Sequence, residues 1–158
     1  MQGVDLTAAL LADADFRDVM LDEGNFRAAD VSGAQFQNSV SLRRAVFSDS
    51  FLMYSNFEYV DATAAAFNRA DLYESHFDGA VLNHASFMGA ELDSAKMVGV
   101  LAVGATFRYA SLTNADLSRA HLQNADFRGA DLTGAHFGTI CMYLSYCTAS
   151  VYYPINIL

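Results

Sequence analysis

Large apolar residues fall at every fifth position along most of the chain. Phe67, Leu72, Phe77, Leu82, Phe87 and Leu92 form one such run, and each is preceded two places earlier by a small residue, Ala65, Ala70, Ser75, Ala80, Ala85 and Ala90. The register runs from Leu42 to Cys147, with Ala62 and Ala102 at two of the centres, and it also covers Leu6, Leu11, Phe16, Leu21, Phe26, Val31 and Phe36. One step of six residues separates Phe36 from Leu42. A period of five matches neither the 3.6 of a helix nor the 2 of a simple strand. It predicts a short strand piece followed by a corner. The small residue and the centre are two apart and share an inward face, the residue between them points out, and the last two positions turn the chain. Gly33, Gly79, Gly89, Gly99, Gly104, Gly129 and Gly134 all occupy the second corner position, where glycine relieves the cost of a tight turn.

Every fourth unit repeats the same kind of centre. One column reads Phe26, Phe47, Phe67, Phe87, Phe107 and Phe127, and the next Leu11, Val31, Leu52, Leu72, Leu92, Leu112 and Leu132. A third reads Phe16, Phe36, Phe57, Phe77, Met97, Leu117 and Phe137, and the fourth Leu42, Ala62, Leu82, Ala102 and Leu122. Uniform columns predict four units per coil and roughly seven coils, which at about 4.8 Å per coil make a rod ~35 Å long.

The units ADLYE, AELDS, ASLTN, ADLSR, ADFRG and ADLTG resemble the A-(D/N)-L-x-x consensus of the pentapeptide repeat family, over about residues 4–147. The resemblance implies an all-β solenoid, a right-handed quadrilateral parallel β-helix, here over residues 1–147. The segment 148–158 follows as a tail, where Tyr and Ile are plentiful and Pro154 stands near the end. That tail is expected to close the core or, as in dimeric members of the family, to pair with a second chain in a homodimer.

Composition narrows the function. The chain has 158 residues, no Trp and one Pro, with 18 acidic against 9 basic residues and a net charge of −9. Direct binding to nucleic acid phosphates is disfavoured, while basic protein surfaces remain open as partners. The first residues lack a basic segment before their apolar run, and no apolar stretch reaches the roughly 18 residues of a membrane span. A cytoplasmic protein with no membrane partner is expected. Cys141 and Cys147 are too few for a disulfide framework and lack metal-ligand spacing.

Sorting the charges by column makes the faces unequal. The outward positions beside the Leu11 to Leu132 column hold Asp13, Asp30, Asp71, Glu74, Glu91, Asp93 and Asp131 and neither Lys nor Arg. Asp30, Asp71 and Asp131 stand where the consensus has Asp, so the repeat alone accounts for them; Asp13, Glu74, Glu91 and Asp93 are not required by it. Like charges stacked along a sheet face cost stability, which points to a basic partner. Phe51, Met53, Tyr54 and Tyr73 point outward on the same face, with Tyr59 around the corner, and exposed aromatics of this kind serve as interface anchors. The candidate protein-binding face is therefore Asp71, Glu74, Glu91 and Asp93 with Phe51, Tyr54 and Tyr73. Leu101 and Val103 make a smaller outward apolar patch of local packing.

Catalytic readings find little support. His76 and His136 share an outward column but lie about 14 Å apart, too far to share a metal, and His84 and His121 are also separated. The sequence lacks a nucleophile elbow, a glycine-rich phosphate loop and a Cys-x-x-Cys, so no enzyme, cofactor or metal is expected. Two functions follow: a scaffold that binds another protein along a flat face, or, as the resemblance implies for some members, a DNA mimic occupying DNA gyrase and conferring quinolone or toxin resistance. The Ala-rich units and single inserted residue depart from the Cys- or Ser-rich units and inserted loops of those members.

Overall fold

The computed structural model describes residues 3–37 and 41–138. Cys141, Cys147 and the 148–158 tail, with its expected capping or dimerising role, lie outside the described residues. Parallel bridges join each side of one coil to the same side of the next, twenty residues on: Phe51 to Asp71, Asp71 to Glu91, Glu91 to Ser111. The offset becomes 21 at Asn25 to Val46, Asp30 to Phe51 and Gln35 to Asn56, which span the six-residue step. Among the described residues three sides carry seven bridged rungs each and the fourth, from Ser41 to His121, five. The coil is therefore four-sided, as the columns predict.

The strand piece expected on each side is shorter than a strand. A single residue per side bridges to each neighbouring coil, because a side has only five residues and the turn occupies two of them. Counting the backbone N–H groups of one unit shows what holds the coils instead. The residue before the centre donates to the preceding coil, as Asn25 does to Val4 at 2.8 Å. The centre and the second corner residue donate to the following coil, as Phe26 does to Val46 at 2.7 Å and Ala28 to Ser48 at 3.1 Å. The next small residue closes the turn, Ala29 onto Phe26 at 3.0 Å. One donor is left over, the N–H just after the centre.

Asp and Asn supply its acceptor in two ways. In one, the residue before the centre reaches across it, as in Asn56 to the Glu58 N–H at 2.9 Å and Asp116 to the Ser118 N–H at 2.9 Å. In the other, an Asp or Asn after the centre of one coil reaches to the next coil, where the residue before the centre is neither Asp nor Asn. Asn68 takes the Met88 N–H at 3.0 Å, Asp78 the Val98 N–H at 2.8 Å and Asn83 the Val103 N–H at 3.0 Å. The consensus Asp is thus a local turn cap.

The second corner residue is left-handed throughout, at φ 51 to 72° from Ala8 to Gly134 among the described residues, and 18 of these positions are not glycine. None of them is Val, Ile or Thr, whose branching makes a positive φ most costly. Inside, the Phe columns stack ring on ring: Phe67 to Phe87 at 4.9 Å and Phe87 to Phe107 at 5.0 Å, both within 5° of parallel. The two Phe columns meet edge to face, Phe67 against Phe77 at 5.6 Å. Each favourable ring pair adds about 0.5–1.5 kcal/mol to burial. The third column ends its ladder at Phe77, where Met97 and Leu117 continue it.

Candidate protein-binding face

The face beside the Leu11 to Leu132 column is a grid set by the coil. Phe51, Met53 and Tyr54 form one row, Asp71, Tyr73 and Glu74 the next, and Glu91, Asp93 and Ser94 the third; Phe51, Asp71 and Glu91 are bridged in register. The Tyr54 N–H donates to the Tyr73 carbonyl and the Glu74 N–H to the Asp93 carbonyl, each at 3.0 Å, which fixes the rows against one another. All seven residues expected to form the face are therefore brought together on three successive coils. Phe51 and Tyr54 are more than half exposed and Tyr73 is 38% exposed. The Tyr54 and Tyr73 rings meet edge to face at 5.8 Å. Tyr59, one corner further on, belongs to a different setting: its ring lies over Gly79, where an added Cβ would stand 2.6 Å from it.

The carboxylates divide by what they hold. Asp30, Asp71 and Asp131 accept the turn N–H of Ser32, Tyr73 and Thr133 at 3.1, 3.2 and 2.9 Å, the capping role of the consensus aspartate. The Thr133 hydroxyl also holds the Asp131 carboxyl below the usual carboxylate range. Asp93 accepts from the Ser111 hydroxyl at 2.6 Å. The adjoining Glu74 carboxylate raises the Tyr73 phenol above its ordinary value. These contacts orient the carboxylates without neutralising them.

The other faces treat their charges differently. Asp49 lies between Arg27 at 3.1 Å and Arg69 at 2.7 Å, and Asp126 takes Arg128 at 2.5 Å with Arg108 at 4.0 Å. Arg17 pairs with Asp15 at 2.6 Å, Arg43 with Asp61 at 2.7 Å, and Arg44 with Glu23. The side-chain hydrogen bonds from Arg17 and Arg128 hold Asp15 and Asp126 at about 2. Among the described residues no ion pair reaches any of the seven carboxylates of the acidic face. Every cation of the chain sits on another side of the coil.

Among the described residues no group of three His, Cys, Asp or Glu side chains is placed to hold a metal ion. His76 Nδ1 approaches Glu58 at 3.6 Å on a neighbouring face. No described helix is long and apolar enough to cross a membrane. The cross-coil caps Asn68, Asp78 and Asn83 escaped the sequence reading. Their signal is an Asp or Asn after the centre, followed one coil later by a unit with neither residue before its centre.

Comparison with known proteins agrees with this coil. A comparison with curated proteins by sequence finds no match. Among solved structures, the chain is similar to Rfr23, a pentapeptide repeat protein of the cyanobacterium Cyanothece 51142, at 27% identity and a TM-score of 0.55 over 64% of this chain and 66% of that one. It thus spans just under two thirds of that relative's length. HetL, a pentapeptide repeat protein involved in heterocyst differentiation regulation in Nostoc sp. strain PCC 7120, is 22% identical with a TM-score of 0.46 over 87% of this chain and 86% of its own. QnrB1, a plasmid-mediated fluoroquinolone resistance protein, is 21% identical with a TM-score of 0.42 over 86% and 81%. The description "Pentapeptide repeats" matches in eight copies, over residues 1–38, 65–101 and 103–138. The four-sided coil, its period of five and this match over more than half its length make the chain a member of the pentapeptide-repeat family.

Proposed function

We propose that the chain is a non-enzymatic scaffold, a right-handed rod whose acidic face binds a basic surface of another protein. The observation that carries this reading is the segregation of charge: arginines meet five of the eleven carboxylates on the other three faces, while the seven on this face meet none. A row of stacked, unneutralised carboxylates is repulsive in the free protein, and a basic partner removes that repulsion on binding. The exposed rings of Phe51, Tyr54 and Tyr73 supply apolar area at the centre of the same face.

The test replaces the four central carboxylates by their amides, Asp71→Asn, Glu74→Gln, Glu91→Gln and Asp93→Asn. Asn at 71 can still accept the Tyr73 N–H, so the turn is kept while the charge is removed. Immobilised protein at physiological salt is expected to retain basic proteins that the variant loses, with the circular dichroism of the two unchanged. Equal capture by both would remove the face from the account. DNA mimicry predicts in addition that the unaltered protein inhibits gyrase supercoiling or protects it from a fluoroquinolone. The scaffold reading expects neither effect at micromolar excess.

A further inference from the structure

At the centre of the acidic face the aromatic and acidic rows meet, and there, building on the protein-binding reading, we infer that the partner presents an arginine flanked by an apolar side chain. Tyr73 stands between Asp71 and Glu74 in its own row, with Glu91 and Asp93 in the row beyond. Its ring is met edge-on by Tyr54 at 5.8 Å, and its backbone N–H is held by the Asp71 carboxylate at 3.2 Å. The two rings brace one another on a capped turn, which lowers the entropic cost of association. A cation over this ring gains the attraction of the ring face and the field of four carboxylates together.

The geometry favours arginine over lysine. A guanidinium is planar and weakly hydrated, so it stacks on a ring while its forked donors reach carboxylates at the ring's edge; an ammonium is a strongly hydrated point charge. The chain already makes such a contact internally, with the Arg108 guanidinium 5.4 Å from the centre of the Tyr109 ring. Tyr73 has a comparable ring amid more negative charge, and among the described residues no arginine of the chain pairs with the carboxylates around it. The apolar requirement comes from the adjoining row, where Phe51 and Tyr54 are exposed beside Met53. A purely charged partner leaves that row in water; an arginine with a neighbouring leucine covers both rows.

The experiment titrates three amidated hexapeptides into the full, isotope-labelled chain at physiological salt: Ala-Leu-Arg-Leu-Arg-Ala, its lysine counterpart, and an arginine peptide with serine for leucine. Nuclear magnetic resonance shifts are expected to map to residues 51–54, 71–74 and 91–94, with the leucine–arginine peptide binding most tightly. Tyr73→Ala is expected to weaken that peptide about two- to thirtyfold, the range of a cation over an aromatic ring, while Tyr73→Phe retains most of the affinity. Equal affinity for the arginine and lysine peptides, or indifference to Tyr73→Ala, would overturn the inference. If in that case the four-amide variant still loses binding, the acidic-face reading survives without it. Failure of every basic peptide to shift the face overturns both.

Discussion

Phe87→Ala is expected to cost about 3–5 kcal/mol of unfolding free energy, the range for emptying a packed aromatic site. Phe87 is fully buried, stacked between Phe67 at 4.9 Å and Phe107 at 5.0 Å, and edge-on to Phe77 at 5.9 Å, so truncation removes three ring contacts at once. The coils on either side cannot collapse into the space, because their spacing is set by backbone bonds such as Phe87 to Thr106 at 2.7 Å. Urea denaturation followed by circular dichroism measures the loss. Phe87→Leu places a smaller apolar side chain in the ladder, as Leu117 does in the third column, and is expected to cost much less. Phe87→Asp adds a buried, unpaired charge and is expected to unfold several coils around it, since each repeat leans on its neighbours. A stably folded Phe87→Asp protein would contradict the assignment of this column to the core.

Gly79→Val is the second large effect. Gly79 and Gly99 share φ +68°, a conformation in which a β-branched residue is strained by about 1–2 kcal/mol. Around Gly99 an added Cβ meets nothing within 4 Å, so Gly99→Val measures the backbone cost alone. At Gly79 the same Cβ stands 2.6 Å from two atoms of the exposed Tyr59 ring, and pushing that ring off its rotamer is expected to add about 0.5–1.5 kcal/mol. Adding Tyr59→Ala to Gly79→Val should recover the ring-displacement part and leave the backbone part. Full recovery would show that the left-handed backbone is not what glycine relieves here.

This pair of glycines shows what the period of five reveals and what it hides. The inward columns are legible because every inward position is apolar or small and repeats at one fixed spacing; Phe87 could be placed between Phe67 and Phe107 by counting. Glycine at the second corner was legible as a turn signal. That Tyr54, Tyr59, Arg69 and Glu74 adopt the same left-handed backbone was not, since their residue types carry no such preference and the coil imposes it. The reduction of each strand to a single bridge was hidden for a related reason: alternation within a unit shows which way side chains point, not how many residues pair.

The acidic face divides in the same way. Its membership followed from the columns, and the grid of residues 51–54, 71–74 and 91–94 is the one expected. The role of its consensus aspartates emerged only with hydrogen bonds in view, where Asp30, Asp71 and Asp131 hold turn N–H groups. The absence of counter-ions depends on where each arginine side chain lies. Asp49, for example, accepts from Arg69, twenty residues later, at 2.7 Å. Spacing alone does not reveal that pairing, because side-chain reach and rotamer decide it.

The central claim is that no cation meets the carboxylates of this one face while every arginine ion pair lies on the others, and thermal unfolding of two variants at low and high salt tests it most directly. Amides at Asp71, Glu74, Glu91 and Asp93 remove repulsion and are expected to raise the midpoint at low salt. Amides at Asp49 and Asp126 remove ion pairs with Arg27, Arg69 and Arg128 and are expected to lower it. Both differences should shrink in about 1 M salt, where the screening length falls to roughly 3 Å. A four-amide protein no more stable than the unaltered chain at low salt would contradict the claim.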